Sequence, residues 1–277
     1  MLLIKKTFTT KNEKPVVLQG NNVFHIGCII RPDQFLVKFG EGNTFQDRIM
    51  IHLHEKVIFG NANNLAHGVL IHGRWKLGNK NFIGYNSSGN NIEMRDCNYI
   101  GHNVKIYDSS FGDNNVVRGD STIRGCTIGN GVYIGPGVML DNCVIADNAI
   151  ILRDAHVIAP TGQRITIGEN AIIGECAVIM IDIPKDGCIR KMNRLSSEEE
   201  MQLMLPCDDH DKIRAIVVDR RKKCMDFISE VWNHNMKLGV EARRAQIIMK
   251  LHNVFSPFKL KNVSKEEYLK MKEEFNF

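Results

Sequence analysis

The sequence predicts a mainly β protein, a parallel β-helix of about nine coils followed by an α-helical extension. Three observations predict it. Between Phe39 and Ile183 an apolar residue followed by glycine or another small residue recurs about every six positions. Examples are IGHNVK (100–105), IGNGVY (128–133), IGPGVM (134–139), IADNAI (145–150), IGENAI (167–172) and IGECAV (173–178). These hexapeptides group into coils starting at Phe39, Phe59, Leu77, Met94, Phe111, Ile128, Ile145 and Ile167, with a step of 17 residues from Leu77 to Ile145. An earlier start at Leu18 fits a slightly longer step. Finally, the repeat stops after IDIPKDG (181–187), and charged, Met-rich sequence follows.

Each hexapeptide supplies one short strand and one corner, with its first, aliphatic residue turned inward. Asn, Gly and Asp suit the corners because they tolerate the left-handed backbone that tight turns need. A single coil cannot bury its apolar face, but stacked coils share a continuous core and pair backbone to backbone. Steps longer than the repeat mark loops, one in coil 18–38, one near Asp47–Lys56 and one at Thr161–Thr166.

The domain boundary therefore falls between a β-helix at 1–187 and a helical extension at 188–277. Ser196-x-x-Glu199 and Ser264-x-x-Glu267 have the capping-box pattern. Between them Ile213, Ile216, Val217, Cys224, Phe227, Ile228, Val231 and Trp232 follow the stripe of an amphipathic helix, and a second helix is expected over 240–255. The extension should pack on the flank or on the open end of the β-helix, whose edge needs cover.

Composition narrows the function classes. Hydrophobic content of 43% and charged content of 24% are those of an ordinary globular chain. A net charge of +5 without interleaved arginines and aromatics argues against nucleic-acid binding. No run of 18 apolar residues is present, so no membrane span is expected. The lysines of MLLIKKTFTTKNEK follow a very short apolar start, the reverse of a secretory signal, so a cytoplasmic protein is expected. Eight cysteines without a C-x-x-C pair suggest reduced core residues, not a zinc ribbon or redox dithiol.

The stretch from Phe39 to Trp75 holds four of the ten histidines. His52 lies 13 residues after Phe39 and His72 lies 13 after Phe59, so both occupy one column of successive coils. Arg31, 13 after Leu18, joins that column one coil lower. Asp47 and His67, each 8 residues into its coil, share a second column on another edge. Stacked imidazoles one sheet spacing apart, roughly 4.8 Å, can share one metal ion, since metal–nitrogen bonds are about 2.1 Å. In a trimer whose faces meet side by side, a neighbour's His67 would complete a three-histidine site. A stacked polar ladder or a subunit interface is the alternative reading of the same column.

Arg31-x-Asp33, Gln46-Asp47-x4-His52 and Ala66-His67-Gly68-x3-His72-Gly73 together resemble the signature of the gamma-class carbonic anhydrases. The match continues through LGNKNFIG (77–84) and is close over residues 17–90. The resemblance implies a left-handed β-helix, a homotrimer, and hydration of a small molecule, carbon dioxide, to bicarbonate. It implies zinc, or iron or cobalt, held by His52 and His72 of one subunit and His67 of the next. Gln46 would hydrogen-bond the activated water, while Asp47, Arg31 and Asp33 would form the interface network that orients the ligands. Glu55 is the carboxylate nearest a proton-shuttle position, with His54 as a further metal-proximal candidate. Departures from the family are Gln34 where a glutamate is usual, Tyr85 where methionine is common, the absent acidic loop, the extra coils and the long tail.

Two other functions fit the same repeat. One is a hexapeptide-repeat acyltransferase using acetyl-CoA or a related thioester, with His102 or His156 as general base. The other is a trimeric scaffold that keeps the metal site for structure.

Overall fold

The computed structural model describes residues 2–4, 8–10, 16–31, 37–52, 57–202 and 210–254. The expected fold class, a mainly β parallel β-helix with a helical C-terminal extension, is the one observed, with about ten turns. Each turn passes through three short strands. One face stacks Thr44–Phe45, Asn64–Leu65, Phe82–Ile83 and Tyr99–Ile100. The second stacks Ile29–Arg31, Met50–His52 and the start of Leu70–Leu77. The third stacks Val37–Phe39, Val57–Phe59 and the end of Leu70–Leu77. The coil starts read from the sequence are partners in this third face, Phe39 to Phe59, Leu77, Met94, Phe111, Ile128, Ile145 and Ile167. Ile183 bridges Ile167 beyond them.

Leu18 does not start a coil. Val16–Leu18 folds back antiparallel on Asn22–Phe24, and the residue opposite Phe39 is Leu2, also antiparallel. The chain thus closes the first turn with reversed strands that cover an edge parallel stacking would leave open. At the other end the strands run past residue 187, through Cys188–Ile189 to Arg194–Leu195. Helix α1 (Glu198–Gln202) follows, and its cap is one residue later than expected: Glu200 N–H donates to Ser197 Oγ while Ser197 N–H donates to Glu200 Oε2. Ser264 and Glu267 lie outside the described residues. The two expected helices are one, α2 (His210–Val254), because Gly239 does not interrupt it. Cys188 is disulfide-bonded, contrary to the expectation of reduced thiols throughout. Among the described residues no helix is long and apolar enough to cross a membrane.

Helix α2 lies along the first face, antiparallel to the coil order. Near its start Arg214 donates to the Asn170 carbonyl, and Val217 packs with Tyr133, Ile150 and Ile172. Further on, the Phe227 ring sits 5.1 Å from Phe82 and Ile228 packs on Ala66. One face is thereby buried by the chain's own helix, and among the described residues no α2 side chain packs on the second.

The interior changes character along the axis. Early coils hold stacked aromatics, with Phe24 and Phe45 at 4.6 Å between centroids and Phe39 and Phe59 at 5.0 Å. Later coils hold isoleucine and alanine, such as Ile151, Ala155, Ile173 and Ala177. Some corners leave no room for a side chain: a Cβ at Gly60 would stand 2.3 Å from the Gly78 carbonyl oxygen of the next coil.

A buried asparagine ladder fixes the stacking. Asn22, Asn43, Asn63, Asn81, Asn98 and Asn115 occupy one inner corner, each no more than 1% exposed. The Nδ2 of Asn43 donates to Asn22 Oδ1 at 2.8 Å, and Asn63, Asn81 and Asn98 each donate to the rung below at 3.0 Å. The same Oδ1 atoms also accept backbone N–H groups from the next coil. From Asn43 to Asn98 each side-chain amide is therefore satisfied only when adjacent coils keep their register, since an unpaired buried amide is costly; at the end of the ladder the Asn115 Nδ2 has no partner among the described residues. Asn63→Ala should lower the stability of the N-terminal coils by about 2–4 kcal/mol, read as a lower urea midpoint. An unchanged midpoint would show that the ladder is incidental to the stacking.

Candidate functional site

The side chains that carry chemistry stand on the first coils. In Met50–His52 and Leu70–Leu77, Ile51 and Ile71 turn inward at 0% exposure, so strand alternation aims His52 and His72 outward. Arg31, His52 and His72 are register partners in three successive strands, as the spacing predicts. The two imidazole rings are 5.9 Å apart between centroids and tilted by 57°. The column continues to Asn90 and Tyr107. The strand Leu70–Leu77 bulges just past His72, at Gly73, whose φ of +65° is open to glycine, and a Cβ there would collide with Asn90 Oδ1.

The second column also forms. The Gly68 N–H donates to the Asp47 carbonyl at 3.0 Å and the Asn86 N–H to the His67 carbonyl at 3.0 Å. These bonds stack Asp47, His67 and Tyr85 at the corner between the helix-covered face and the histidine face. Gln46 precedes Asp47, its N–H bonded to the Leu65 carbonyl at 2.9 Å. Tyr85 is 55% exposed, so its ring projects outward over this corner.

His67 does not join His52 and His72 within the chain. Among the described residues no group of three His, Cys, Asp or Glu side chains is placed to hold a metal. Of the other expected site residues, Arg31 is exposed at the foot of the column. Asp33, Gln34, His54 and Glu55 lie outside the described residues.

The structure adds a residue that the spacing had not singled out. His25 sits one coil below Gln46, its N–H bonded to the Phe45 carbonyl at 2.8 Å, and its Nδ1 is 3.9 Å from Asp47 Oδ1. Burial holds its pKa below the ordinary value of 6.5, although Asp47 pulls the other way. The signal was available: His25 lies 7 residues after Leu18, as Gln46 lies 7 after Phe39. Close by, burial pushes the Cys28 thiol up to about 11, which makes it a packing group and not a nucleophile.

The two candidate bases for acyl transfer differ. His102 stands on the corner column of His67 and Tyr85, with Nε2 3.7 Å from Asp120 Oδ2. Its ring lies over Gly119, where a Cβ would come within 2.7 Å of Cε1. Asn103 Nδ2 donates to Asp120 Oδ1 at 3.0 Å and so fixes the carboxylate. His156 stands on the histidine face between Met139 and Val178, with no such carboxylate in register.

No family model and no curated protein matches the chain. Among solved structures it is similar to the UDP-N-acetylglucosamine acyltransferase of Francisella novicida, with 16% identity over 84% of this chain and 88% of that one, at a TM-score of 0.45. It is also similar to a protein of Bacillus cereus described as an acetyltransferase, with 19% identity over 65% of this chain and 98% of that one, at a TM-score of 0.31. A likeness this remote assigns no reaction.

The lowered pKa of His25 has a consequence for stability. The folded chain binds fewer protons than the unfolded chain once the pH drops below 6.5. The contribution of neutral His25 is complete above that value and is lost as the pH falls towards the folded pKa. His25→Gln should therefore flatten the decline in stability between about pH 7 and pH 5, measured as the change in urea midpoint. Parallel declines in the two proteins would contradict the assignment.

Proposed function

We propose that the chain is a metal-dependent enzyme that hydrates carbon dioxide to bicarbonate, with a three-histidine site between subunits of a homotrimer. The observation that carries this reading is the pairing of His52 with His72 in direct register, rings 5.9 Å apart, on the face where no described α2 side chain packs. Two imidazoles at this separation fit either side of one ion with metal–nitrogen bonds of about 2.1 Å. Neutral imidazole donors suit zinc, iron or cobalt, and availability decides among them. His67, on a different edge of the same coils, supplies the third donor from a second copy.

A divalent ion held there supplies Lewis acidity, which makes water a nucleophile source near neutral pH. The chain's own residues orient and neutralise. Gln46, beside the corner, offers an amide that can fix the reacting oxygen. Arg31, in register below His52, can hold the anionic product, a task suited to its planar fork of donors. Asp47 belongs to the same edge as His67 and orients it across the interface. Asp33 keeps its interface role on the sequence resemblance alone, and the same resemblance makes Glu55 one candidate for proton transfer.

A second reading, acyl transfer from a thioester such as acetyl-CoA, is favoured by the His102–Asp120 pair. A carboxylate beside an imidazole is the arrangement that orients a general base. The two similar solved structures are described as acyltransferases, which gives this reading its context.

The readings separate cleanly by measurement. Hydration predicts about one metal ion per chain in the purified protein, lost in both His52→Ala and His67→Ala, with coenzyme A leaving the melting temperature unmoved. Absence of metal at neutral pH would contradict it. Acyl transfer predicts thermal protection by coenzyme A, through mass action on the native state, and loss of thioester turnover in His102→Ala.

A further inference from the structure

We propose that His25 is the proton acceptor of the Gln46–Asp47–His67 edge and takes up the proton that carbon dioxide hydration releases. The inference rests on the function proposed above and names a residue for its proton-export step.

The placement is built, not incidental. Thr10, 2% exposed, donates its hydroxyl to the His25 carbonyl at 2.5 Å and accepts the Cys28 N–H at 2.9 Å. Its backbone completes a clip, with Thr10 N–H donating to the Cys28 carbonyl and Gly27 N–H to the Thr10 carbonyl, both at 3.0 Å. The Cys28 thiol then donates to the Gln46 carbonyl at 3.0 Å. His25 and Gln46 are thus held by one buried network that spans two coils. The imidazole of His25 leans from the lower coil towards the Asp47 carboxylate in the upper one.

The surroundings define what His25 can do. From the coil above, Asp47 faces its ring at 3.9 Å. The strand Phe8–Thr9 and Thr10 contribute a neutral hydroxyl, and the aliphatic stem of Arg48 packs over Gly27. Among the described residues Asp47 is the one charged group that acts on the imidazole. The side chains of His25 and Asp47 are 27% and 45% exposed, so solvent can link them to the edge and to bulk buffer.

The bookkeeping is simple. Hydration forms one carbon–oxygen bond as a C=O π bond of carbon dioxide breaks, its electron pair moving to that oxygen; one O–H bond of water also breaks, leaving bicarbonate and a proton. The proton passes to the neutral imidazole of His25 by way of solvent at the half-exposed edge, and then to buffer. The Asp47 carboxylate, 3.9 Å from Nδ1, offsets the transient imidazolium charge. His25 acts on proton export and touches neither the carbon nor the ion. Burial lowers the pKa of the imidazole, and the facing Asp47 carboxylate pulls it back up towards the range in which a ring takes up and releases a proton.

Two measurements on the full chain test this. In His25→Ala, carbon dioxide hydration at low buffer concentration should fall by about 10²-fold and recover on adding free imidazole, with metal content unchanged. A rate equal to wild type, or a loss that imidazole does not restore, overturns the proposal. The second is an NMR titration of the His25 ring, which needs no turnover. Its midpoint should move to lower pH in Asp47→Asn, because the carboxylate that favours the charged ring has gone. An unmoved midpoint overturns the pairing on which the proposal stands. A wild-type chain without hydratase activity overturns the reading beneath it, and the titration then shows whether the His25–Asp47 pair itself exists.

Discussion

Coil-to-coil register is the constraint on which this molecule depends. Side chains alternate across a strand, so a slip of one residue would turn His52 into the core and Ile51 onto the surface. Two systems oppose such a slip. The parallel backbone ladder pairs every coil with its neighbours, and the buried asparagine column satisfies its amides only at the correct offset. The ladder runs through Asn43 and Asn63, in the same coils that carry His52 and His72. A structural interaction thereby sets the spacing of chemical groups on the opposite side of the coil.

The faces of the prism are unequal. The first face is buried under α2 through Val217, Cys224 and Ile228. The third face carries exposed charge, including the Lys76–Glu93 ion pair. The second carries the arginine–histidine column together with the exposed Met50 and Met139. The second face carries charge as well, in the Arg124–Asp141 ion pair. The stacked phenylalanines behind it give that end of the prism a stiff, dense interior.

Much of this was legible in the sequence, for identifiable reasons. The column from Phe39 to Ile167 was readable because the step stays near constant and each start is an apolar residue. His52 and His72 were readable because their coils share one offset. Leu18 misled because an apolar residue in a reversed strand looks like one in a coil. Ser197 was passed over for Ser196 because adjacent serines precede three consecutive glutamates, and spacing alone does not choose between them. The boundary expected before residue 240 falls inside one helix, since a single glycine such as Gly239 costs a helix only about 1 kcal/mol. Spacing aligns His25 with Gln46, but its pairing with Asp47 is a diagonal reach between coils that spacing does not give.

The central claim is that one copy supplies His52 and His72 while another supplies His67. The most direct test mixes two variants, neither of which can form the site alone. His67→Ala chains retain the pair and His72→Ala chains retain the third donor. Refolded together, they should form mixed trimers that bind about one metal ion each, while each variant alone binds none. Metal bound by His67→Ala alone, or none bound by the mixture, would contradict the account.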